Sequence, residues 1–216
     1  MQAVSTTLIF LSGDHPGART LAQLLPRCQR CLAADGGYDL AVSLGVKPDA
    51  LIGDMDSLAG VPDPSIPVIR HPVDKDWSDT ELALDLAWRQ GAQSTILFGG
   101  GGGRLDHLLA IRSLFQRSRT PDRWYTGTDE VIRIDRPFSA VLPQGTVLSL
   151  FPLGIQTCRA RTTGLKWPLD DLAWQAGDCG LSNLSVAEMI TIQPLEGSFL
   201  LVRQLAEGEA VCRFDS

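Results

Sequence analysis

The sequence has little positive charge and no long apolar run. Nineteen Lys and Arg residues stand against twenty-five Asp and Glu residues, which gives a formal net charge of −6 at pH 7. Because nucleic-acid backbones are bound by clustered Lys and Arg, this balance argues against nucleic acid as the main partner. The apolar run near the start, Leu8–Leu11, is far too short to cross a membrane, and no basic residue precedes it as in a signal peptide. We therefore expect a cytoplasmic protein that has no membrane partner.

Cysteines are few, and their pattern is not that of a zinc site. The chain has five, at Cys28, Cys31, Cys158, Cys179 and Cys212. Cys28-x-x-Cys31 has the spacing of a redox pair, but Cys31 enters a predicted strand instead of opening a helix. We expect ordinary reduced thiols.

The first 129 residues alternate strand-like and helix-like segments. Hydrophobic content of 44% and charged content of 20% predict a packed core. Apolar runs predict strands at residues 6–11, 31–34, 50–52, 68–70, 94–98 and 123–126. Helices are predicted at residues 19–25, 38–44, 79–90 and 106–116, the third of them capped by Ser78 and Glu81. This order predicts an α/β domain over residues 1–129, with a mainly parallel, Rossmann-like sheet covered by helices on both faces.

The pattern changes after about Asp129. Short strand-like runs separated by Pro, Gly and Asp follow, and no convincing helix remains. The runs lie at residues 131–134, 146–151, 157–161, 188–193, 199–203 and 210–214. They predict a second, all-β domain over residues 130–216, of sandwich or barrel type.

Five carboxylates lie between the third predicted strand and the start of the capped helix. They are Asp54, Asp56, Asp74, Asp76 and Asp79. Carboxylates gathered near strand ends repel one another unless a cation joins them, and ligands that are all oxygen favour Mg²⁺, Mn²⁺ or Ca²⁺ over zinc. Asp54 and Asp56 are two residues apart, so on an extended segment their side chains would point the same way, towards one cation or a close pair.

Each of these carboxylates also has an ordinary structural explanation. Asp54 and Asp56 could belong to a polar turn. Asp79 could stabilise the helix that it opens through a favourable interaction with the helix dipole. Asp74 and Asp76, taken singly, fit solvated loop positions better than ligand positions. An EF-hand is excluded, because that pattern needs Gly and Glu at the positions of Ala59 and Ser65.

A run of five glycines, Gly99–Gly103, follows the fifth predicted strand. Glycine lets the backbone approach an anion closely, and the helix that follows offers free N–H groups to phosphate. The run lacks the Lys-Ser/Thr of a Walker loop and the spacing of a dinucleotide fingerprint, and a flexible turn is the alternative. Arg104 can add a forked cation. Asp35, Asp54 and Gly99 all follow predicted strands directly and can share one edge of the sheet, where such sheets bind ligands, so the pattern indicates nucleotide chemistry.

Two further side chains are ambiguous on their own. His107 beside Asp106 lacks a nucleophile motif, and such a histidine is more often a surface or packing residue at a helix start. Trp167 could stack on a flat ligand, but a core position is the commoner explanation.

Taken together, these motifs resemble the thiamine pyrophosphokinase family. The matching segments are Ala34–Gly37, Gly53–Ser57, Asp74–Asp79, Gly102–His107, Thr163–Leu169 and Ser182–Asn183. They follow the family's order and span most of the chain. The family often has Phe at Met55 and Thr at Ser78, which are conservative differences, and Gly-Thr where this chain has Gly180-Leu181.

The resemblance implies a nucleotide-binding α/β domain and a thiamine-binding β-sandwich domain, working as a homodimer. It implies transfer of the pyrophosphoryl group of ATP to the hydroxyl of thiamine, giving thiamine diphosphate and AMP, with Mg²⁺ held by Asp54, Asp56 and Asp79. Those three residues and Asp76 are the expected catalytic residues. The expected nucleotide and diphosphate contacts are Asp35, Gly36, Gly37, Asp74, Lys75, Gly102, Gly103, Arg104, Asp106 and His107. Trp167 is expected to stack on thiamine across the dimer interface, with Ser182 and Asn183 nearby.

The reaction needs the thiamine hydroxyl in line with the β-phosphorus of ATP and a carboxylate, Asp79 or Asp76, to accept its proton. Two alternatives stay open: a diphosphokinase that acts on a pterin alcohol, and a non-catalytic sensor of nucleotide or thiamine. The motif at Gly164–Leu169 favours thiamine over a pterin, and retention of the metal carboxylates argues against a sensor.

Overall fold

The computed structural model describes residues 4–205, and the chain divides into two compact units, Met1–Thr128 and Asp129–Ser216. The first unit contains β1 (Thr6–Leu11), α1 (Gly17–Leu24), β2 (Arg30–Ala34), α2 (Gly37–Ser43), β3 (Ala50–Gly53), β4 (Val68–Arg70), α3 (Asp79–Arg89), β5 (Ser94–Gly99), α4 (Leu105–Leu114) and β6 (Arg123–Tyr125). The second contains β7 (Asp129–Ile134), β8 (Phe138–Val141), β9 (Val147–Leu153), β10 (Arg159–Thr163), β11 (Gly180–Leu184), β12 (Met189–Glu196) and β13 (Ser198–Gln204). Within residues 4–205, every helix is too short or too polar to span a membrane.

The strands of the first unit lie side by side in the order β6-β5-β1-β2-β3-β4, and all neighbours run parallel. All six residues of β1 are buried at the centre of this sheet, and α2 and α3 pack against it. A strand buried on both faces is a continuous apolar run, which is why β1 was visible in the sequence. The predicted α/β fold with a parallel sheet is confirmed.

Two glycines let neighbouring backbone approach the end of β1. A Cβ at Gly37, the first residue of α2, would lie 2.1 Å from the carbonyl oxygen of Phe10, and one at Gly99 would lie 2.2 Å from that of Leu11. Gly99 also has φ +97, which glycine adopts without strain. The start of α2 and the end of β5 are therefore fixed against β1 by contacts that no other residue allows.

Helix α3 begins as the sequence predicts. The Glu81 N–H donates to Ser78 Oγ over 3.3 Å, and the Ser78 N–H donates to Glu81 Oε2 over 2.8 Å. This capping box satisfies two free amide groups and fixes where the helix starts. Asp79 is consequently the first residue of α3.

The second unit consists of two antiparallel sheets, with strand orders β11-β9-β13-β7 and β10-β12-β8. Alternate side chains of both sheets meet in one buried core, and Trp174 contacts Phe199 edge to face with ring centroids 6.1 Å apart. The predicted all-β sandwich is confirmed. Strands β8 and β11 were not predicted, and the predicted strand at residues 210–214 lies outside the described residues.

The described cysteines are all free thiols. Burial raises the pKa of Cys28 to about 12 and that of Cys31 to about 11, with a further rise from the charge of Cys31 on Cys28 and of Asp49 on Cys31. Because these pKa values lie far above neutral pH, both thiols stay protonated and are poor nucleophiles. A redox pair needs a thiolate. The expectation of ordinary thiols therefore fits this pair, and Cys212 lies outside the described residues.

Candidate functional site

The carboxyl ends of β1, β2, β3 and β5 surround a cavity of about 450 Å³. The loops after these strands contribute Ser12, Asp35, Ser57 and Gly100 to its wall. Residues of the first turn of α3 and residues along the length of α4 complete the lining. Ligands bind at this edge in parallel α/β sheets, and the volume lies in the range of small-molecule sites.

Three carboxylates beside the cavity form one cluster. Asp35, Asp54 and Asp56 each offer an oxygen, and these oxygens lie within 4.8 Å of one another. Asp35 has φ +46, in the left-handed region that side chains other than glycine rarely adopt. Its Oδ1 is buried and has no hydrogen-bond partner among residues 4–205. A buried oxygen without a partner beside two other carboxylates suits a bound cation.

Asp54 and Asp56 reach this cluster through a turn. Met55 has φ +72, the Asp56 N–H donates to Asp54 Oδ1 over 3.2 Å, and the Ser57 hydroxyl donates to Asp56 Oδ1 over 2.9 Å. The segment is therefore not extended at Met55, so the condition under which the two side chains would point the same way is not met there. The two carboxylates still meet, because the turn folds them towards Asp35.

Lys75 lies between Asp54 and Asp79. Its Nζ is 3.1 Å from Asp54 Oδ2 and 3.1 Å from Asp79 Oδ1, and its side chain is 14% exposed. Burial disfavours the ammonium form, but the hydrogen bonds and charges of the two carboxylates outweigh it and raise the pKa of Lys75. Hydrogen bonds from Lys75 and from the Asp56 N–H lower the pKa of Asp54. Lys75 and Asp54 are both charged near neutral pH.

Asp79 is the more basic partner of Lys75. Burial raises the pKa of Asp79, and the charges of Asp54 and Asp35 raise it further, against the opposing effect of Lys75. Gly53, with φ +147, allows this crowding, since a Cβ there would lie 3.0 Å from Asp79 Oδ1 and 3.1 Å from Asp35 Cβ. A desolvated carboxylate with a raised pKa is suited to accepting a proton.

The glycine run is fixed to the loop that follows β1. The Asp14 N–H donates to the Gly101 carbonyl over 2.8 Å, and the Gly101 N–H donates back to the Asp14 carbonyl over 3.0 Å. Gly100, Gly102 and Gly103 all have φ between +64 and +71, and a Cβ at Gly102 would lie 2.3 Å from Asp14 Oδ2. The run is therefore an ordered backbone loop on the cavity wall, and it leads into α4, which begins without a side-chain cap.

Two arginines stand near the cavity with carboxylate partners. Arg104 Nη2 lies 2.5 Å from Asp106 Oδ2, and both side chains are exposed. Arg117 forms an ion pair with Glu81, whose other oxygen closes the capping box of α3. Arg104 is free to exchange Asp106 for an anion, because an exposed ion pair contributes little stability.

A second group of predicted site residues lies in the other unit. Trp167 is 51% exposed, and the Lys166 ammonium lies 4.5 Å from the centroid of its ring. The interpretation of Trp167 as a core residue was therefore wrong. Its backbone is fixed, since the Asn183 amide accepts the Trp167 N–H over 3.2 Å and donates to the Trp167 carbonyl over 2.7 Å.

Asn183 and Ser182 differ in their surroundings. Asn183 is 5% exposed, and its Oδ1 also accepts the Leu184 N–H over 2.9 Å. Ser182 is exposed, has φ +57 and donates its N–H to Ser149 Oγ over 3.1 Å. Asn183 is thus a support beneath Trp167, whereas Ser182 is accessible to a ligand.

Both units match known protein domains. Residues 21–123 match the catalytic domain of thiamin pyrophosphokinase, and residues 130–197 match its vitamin B1 binding domain. The chain belongs to the thiamin pyrophosphokinase family. The expected family membership and the expected activity, pyrophosphorylation of thiamine, are thereby confirmed. Members of this family use ATP and bind thiamine.

Solved structures give the fold independently. The thiamine pyrophosphokinase of Bacillus subtilis is 20% identical, with a TM-score of 0.77 over 93% of this chain and 99% of that chain. The enzyme of Geobacillus thermodenitrificans is 23% identical, with a TM-score of 0.70 over 94% and 98%. The yeast enzyme is 17% identical, with a TM-score of 0.70 over 95% and 87%. At these identities the likeness concerns the fold. No curated protein matches the chain.

The structure separates the residues that the family resemblance grouped together. The cavity wall includes Asp35, Gly36, Asp79, Gly102, Gly103, Arg104 and His107. Asp54, Asp56 and Lys75 adjoin it through the carboxylates. Gly37 faces β1 instead, and Asp74, Asp76 and Asp106 are exposed and lie off the wall.

Several residues of this family member's site were not found from the sequence. Gly53 was expected only as part of the motif Gly53–Ser57, with no role of its own, and the loop Ser12–Asp14 carries no side-chain signal, although both follow strands that were predicted. Tyr38 Oη accepts the Asp63 N–H over 2.9 Å, and Asp39 Oδ2 accepts the Ala59 N–H over 2.8 Å. These two residues of α2 tie down the connection that carries Asp54 and Asp56.

Proposed function

We propose that this chain is an ATP:thiamine diphosphotransferase that uses Mg²⁺ and whose cavity at the sheet edge receives ATP. The observation that carries the proposal is the juxtaposition of the Asp35–Asp54–Asp56 cluster and the ordered glycine run beside one cavity, in a chain of this family. A carboxylate cluster binds a divalent cation, and a backbone loop at a helix start binds phosphate.

The donor set suits Mg²⁺. It is made only of carboxylate oxygens, and Asp35 Oδ1 among them is buried with no hydrogen-bond partner in the described part of the chain. The ammonium of Lys75 already lies between Asp54 and Asp79. Asp35, Asp54 and Asp56 would hold the ion, since their oxygens lie within 4.8 Å of one another. The family motif also implies Asp79 as a ligand, but its Oδ1 lies 3.1 Å from Lys75 Nζ, and we assign it the role of base instead. A bound divalent ion would neutralise charge on the phosphates.

The residues of the chain then position the nucleotide. The amides of Gly102 and Gly103 and the start of α4 face the diphosphate, and Arg104 leaves Asp106 to pair with a phosphate oxygen. Gly36 and His107 line the same wall and leave room for the nucleotide. Lys75 supplies a further positive charge at the carboxylate side of the cavity, and Asp74 remains a flanking residue.

Asp79 is the proposed base. It accepts the proton of the thiamine hydroxyl at a carboxylate oxygen while the hydroxyl oxygen bonds to the β-phosphorus of ATP. The bond from that phosphorus to the oxygen bridging to the α-phosphate breaks, and AMP leaves. Asp79 is preferred to Asp76, because Asp76 is exposed and lies off the cavity wall, whereas burial raises the pKa of Asp79.

Thiamine would stack on Trp167, with Ser182 beside it and Asn183 supporting the backbone of the tryptophan. An exposed indole whose main chain is held by two hydrogen bonds is a ready platform for an aromatic ring. We place the acceptor site between two copies of the chain in a homodimer, as the family resemblance implies. We also place the protein in the cytoplasm, where ATP is available and thiols stay reduced.

The experiment that tests this function is AMP formation from Mg·ATP with and without thiamine, combined with mass detection of thiamine diphosphate. Thiamine-dependent AMP together with that product is the expected result. Saturable ATP binding without AMP would refute the transfer reaction and favour a sensor. AMP formation with a pterin alcohol but not with thiamine would show that the acceptor is the pterin.

Replacing Asn183 with alanine should raise the KM for thiamine about tenfold and leave kcat largely unchanged. The substitution removes two hydrogen bonds to the main chain of Trp167 and one to Leu184, which together contribute about 1–3 kcal/mol. Initial-rate kinetics at saturating ATP measure both constants. An unchanged KM for thiamine in Asn183→Ala would show that the position of Trp167 does not affect thiamine binding. The control is Val186→Ala, since Val186 is exposed and follows β11.

A further inference from the structure

Asp54 belongs both to the carboxylate cluster proposed to bind a divalent ion and to an ion pair with Lys75. With Asp35 and Asp56 it forms the cluster whose oxygens lie within 4.8 Å of one another. With Asp79 it forms a second carboxylate pair, and the Lys75 ammonium lies between the two, 3.1 Å from each. A divalent ion is proposed for the first position, whereas the protein itself supplies a cation at the second.

The second position is built into the fold. Asp79 is fixed at the start of α3 by the capping box of Ser78 and Glu81, and Gly53 lacks the Cβ that would make a tight contact of 3.0 Å with Asp79 Oδ1. The side chains of Lys75, Asp54 and Asp79 are only 14%, 11% and 24% exposed. Charges this poorly solvated attract one another much more strongly than exposed ones do.

The chain contains a natural comparison. Lys47 pairs with Asp63 over 3.5 Å, and these side chains are 62% and 45% exposed. That pair is an ordinary surface contact of small energetic value. Lys75, by contrast, faces two carboxylates at shorter distance and is largely shielded from water.

We propose that Lys75 takes the place of a second divalent ion, so that the protein binds a single ion at its carboxylates. The proposal rests on the proposed metal site. The carboxylates of the two positions are those of Asp35, Asp54, Asp56 and Asp79. Together they carry four negative charges, and the Lys75 ammonium and one divalent ion reduce the net charge to −1. Two divalent ions beside the ammonium would leave the cluster positive and force like charges together. Two ions therefore fit only where the ammonium between Asp54 and Asp79 is removed, as in Lys75→Met.

The test counts ions through protein stability, without substrate. Urea unfolding of the full chain is measured at increasing MnCl₂ and constant ionic strength. At saturation the slope of the unfolding free energy against ln[Mn²⁺], in units of RT, gives the number of ions that the folded state holds in excess. Wild type and the control Lys47→Met should give about one ion, and Lys75→Met about two. Lys75→Arg keeps the charge and should again give about one.

Two results would overturn the assignment. One is a slope of about one for Lys75→Met, even with tighter binding, since Lys75 would then only compete with the single ion. The other is a slope of about two for wild type. A wild type that does not respond to Mn²⁺ refutes the metal site itself. Failure to form thiamine diphosphate, with slopes as expected, would refute the function and leave the role of Lys75 standing.

Discussion

Replacing Asp54 with asparagine is expected to lower kcat for thiamine diphosphate formation by about 10³-fold or more, which corresponds to about 4 kcal/mol of transition-state stabilisation. Asp54 is the carboxylate common to the Asp35–Asp54–Asp56 cluster and to the ion pair with Lys75. Loss of its charge weakens the hold on the divalent ion and leaves Lys75 with one partner. We expect the same loss for Asp56→Asn.

The protein should remain folded in both variants. Asparagine keeps an oxygen at position 54 that can accept the Asp56 N–H, and removal of one negative charge reduces repulsion within the cluster. We expect the free energy of unfolding, from urea titrations, to change by about 1 kcal/mol or less. Asp63→Asn is the matched control, because Asp63 lies on the same connection but pairs with Lys47 at the surface. Near-normal turnover in both site variants would refute the metal assignment.

Gly37→Ala is expected to lower the free energy of unfolding by about 3–5 kcal/mol. The new Cβ would lie 2.1 Å from the Phe10 carbonyl oxygen and 2.5 Å from its carbon, and both are backbone atoms of the central strand. Because a backbone cannot rotate away as a side chain does, α2 would have to move off β1. A change of this size is a large share of the total stability of a domain.

Urea unfolding at 25 °C measures the effect of Gly37→Ala. Gly60→Ala is the control, since a Cβ at Gly60 meets nothing within 4 Å. Its free energy of unfolding should differ from that of wild type by about 0.5 kcal/mol or less. Equal midpoints for the two variants would mean that α2 yields easily, and that the contact with β1 does not define the start of this helix.

Local signals in the sequence predicted the first unit well. The capping box of Ser78 and Glu81 involves residues three apart, and it gave the start of α3 to the residue. The buried parallel strands were visible as short apolar runs. Asp35, Asp54 and Gly99 were expected at one sheet edge because each follows such a strand, and all three adjoin the same cavity or its carboxylates.

Contacts between distant residues could not be predicted in the same way. The left-handed conformation of Met55 has no sequence signal, because methionine rarely adopts it, and the surrounding fold must impose it. The bridge of Lys75 between Asp54 and Asp79 depends on how β3 and α3 meet. A motif gives the identity of these residues but not the direction of their side chains.

The second unit was predicted less completely. Strand β11 has no alternation of apolar and polar residues, since only Asn183 among its five residues is buried, so nothing marked it as a strand. Asn183 itself was expected to contact thiamine because it belongs to the motif. Its amide bonds to the main chain of Trp167, a supporting role that the sequence motif alone does not distinguish from ligand binding.

The one-sided placement of the site along the first sheet sets where the chain can tolerate changes of length. Loops at the carboxyl ends of the strands hold the carboxylate cluster and the glycine run that line or adjoin the cavity, so an inserted residue there would displace part of the proposed site. The opposite edge joins the same elements through turns such as Gly45 and Gly91, which are exposed and have open space around them. Affinity tags, fluorophores or whole fused domains are therefore best inserted at those two turns, and evolution is expected to have varied loop length there.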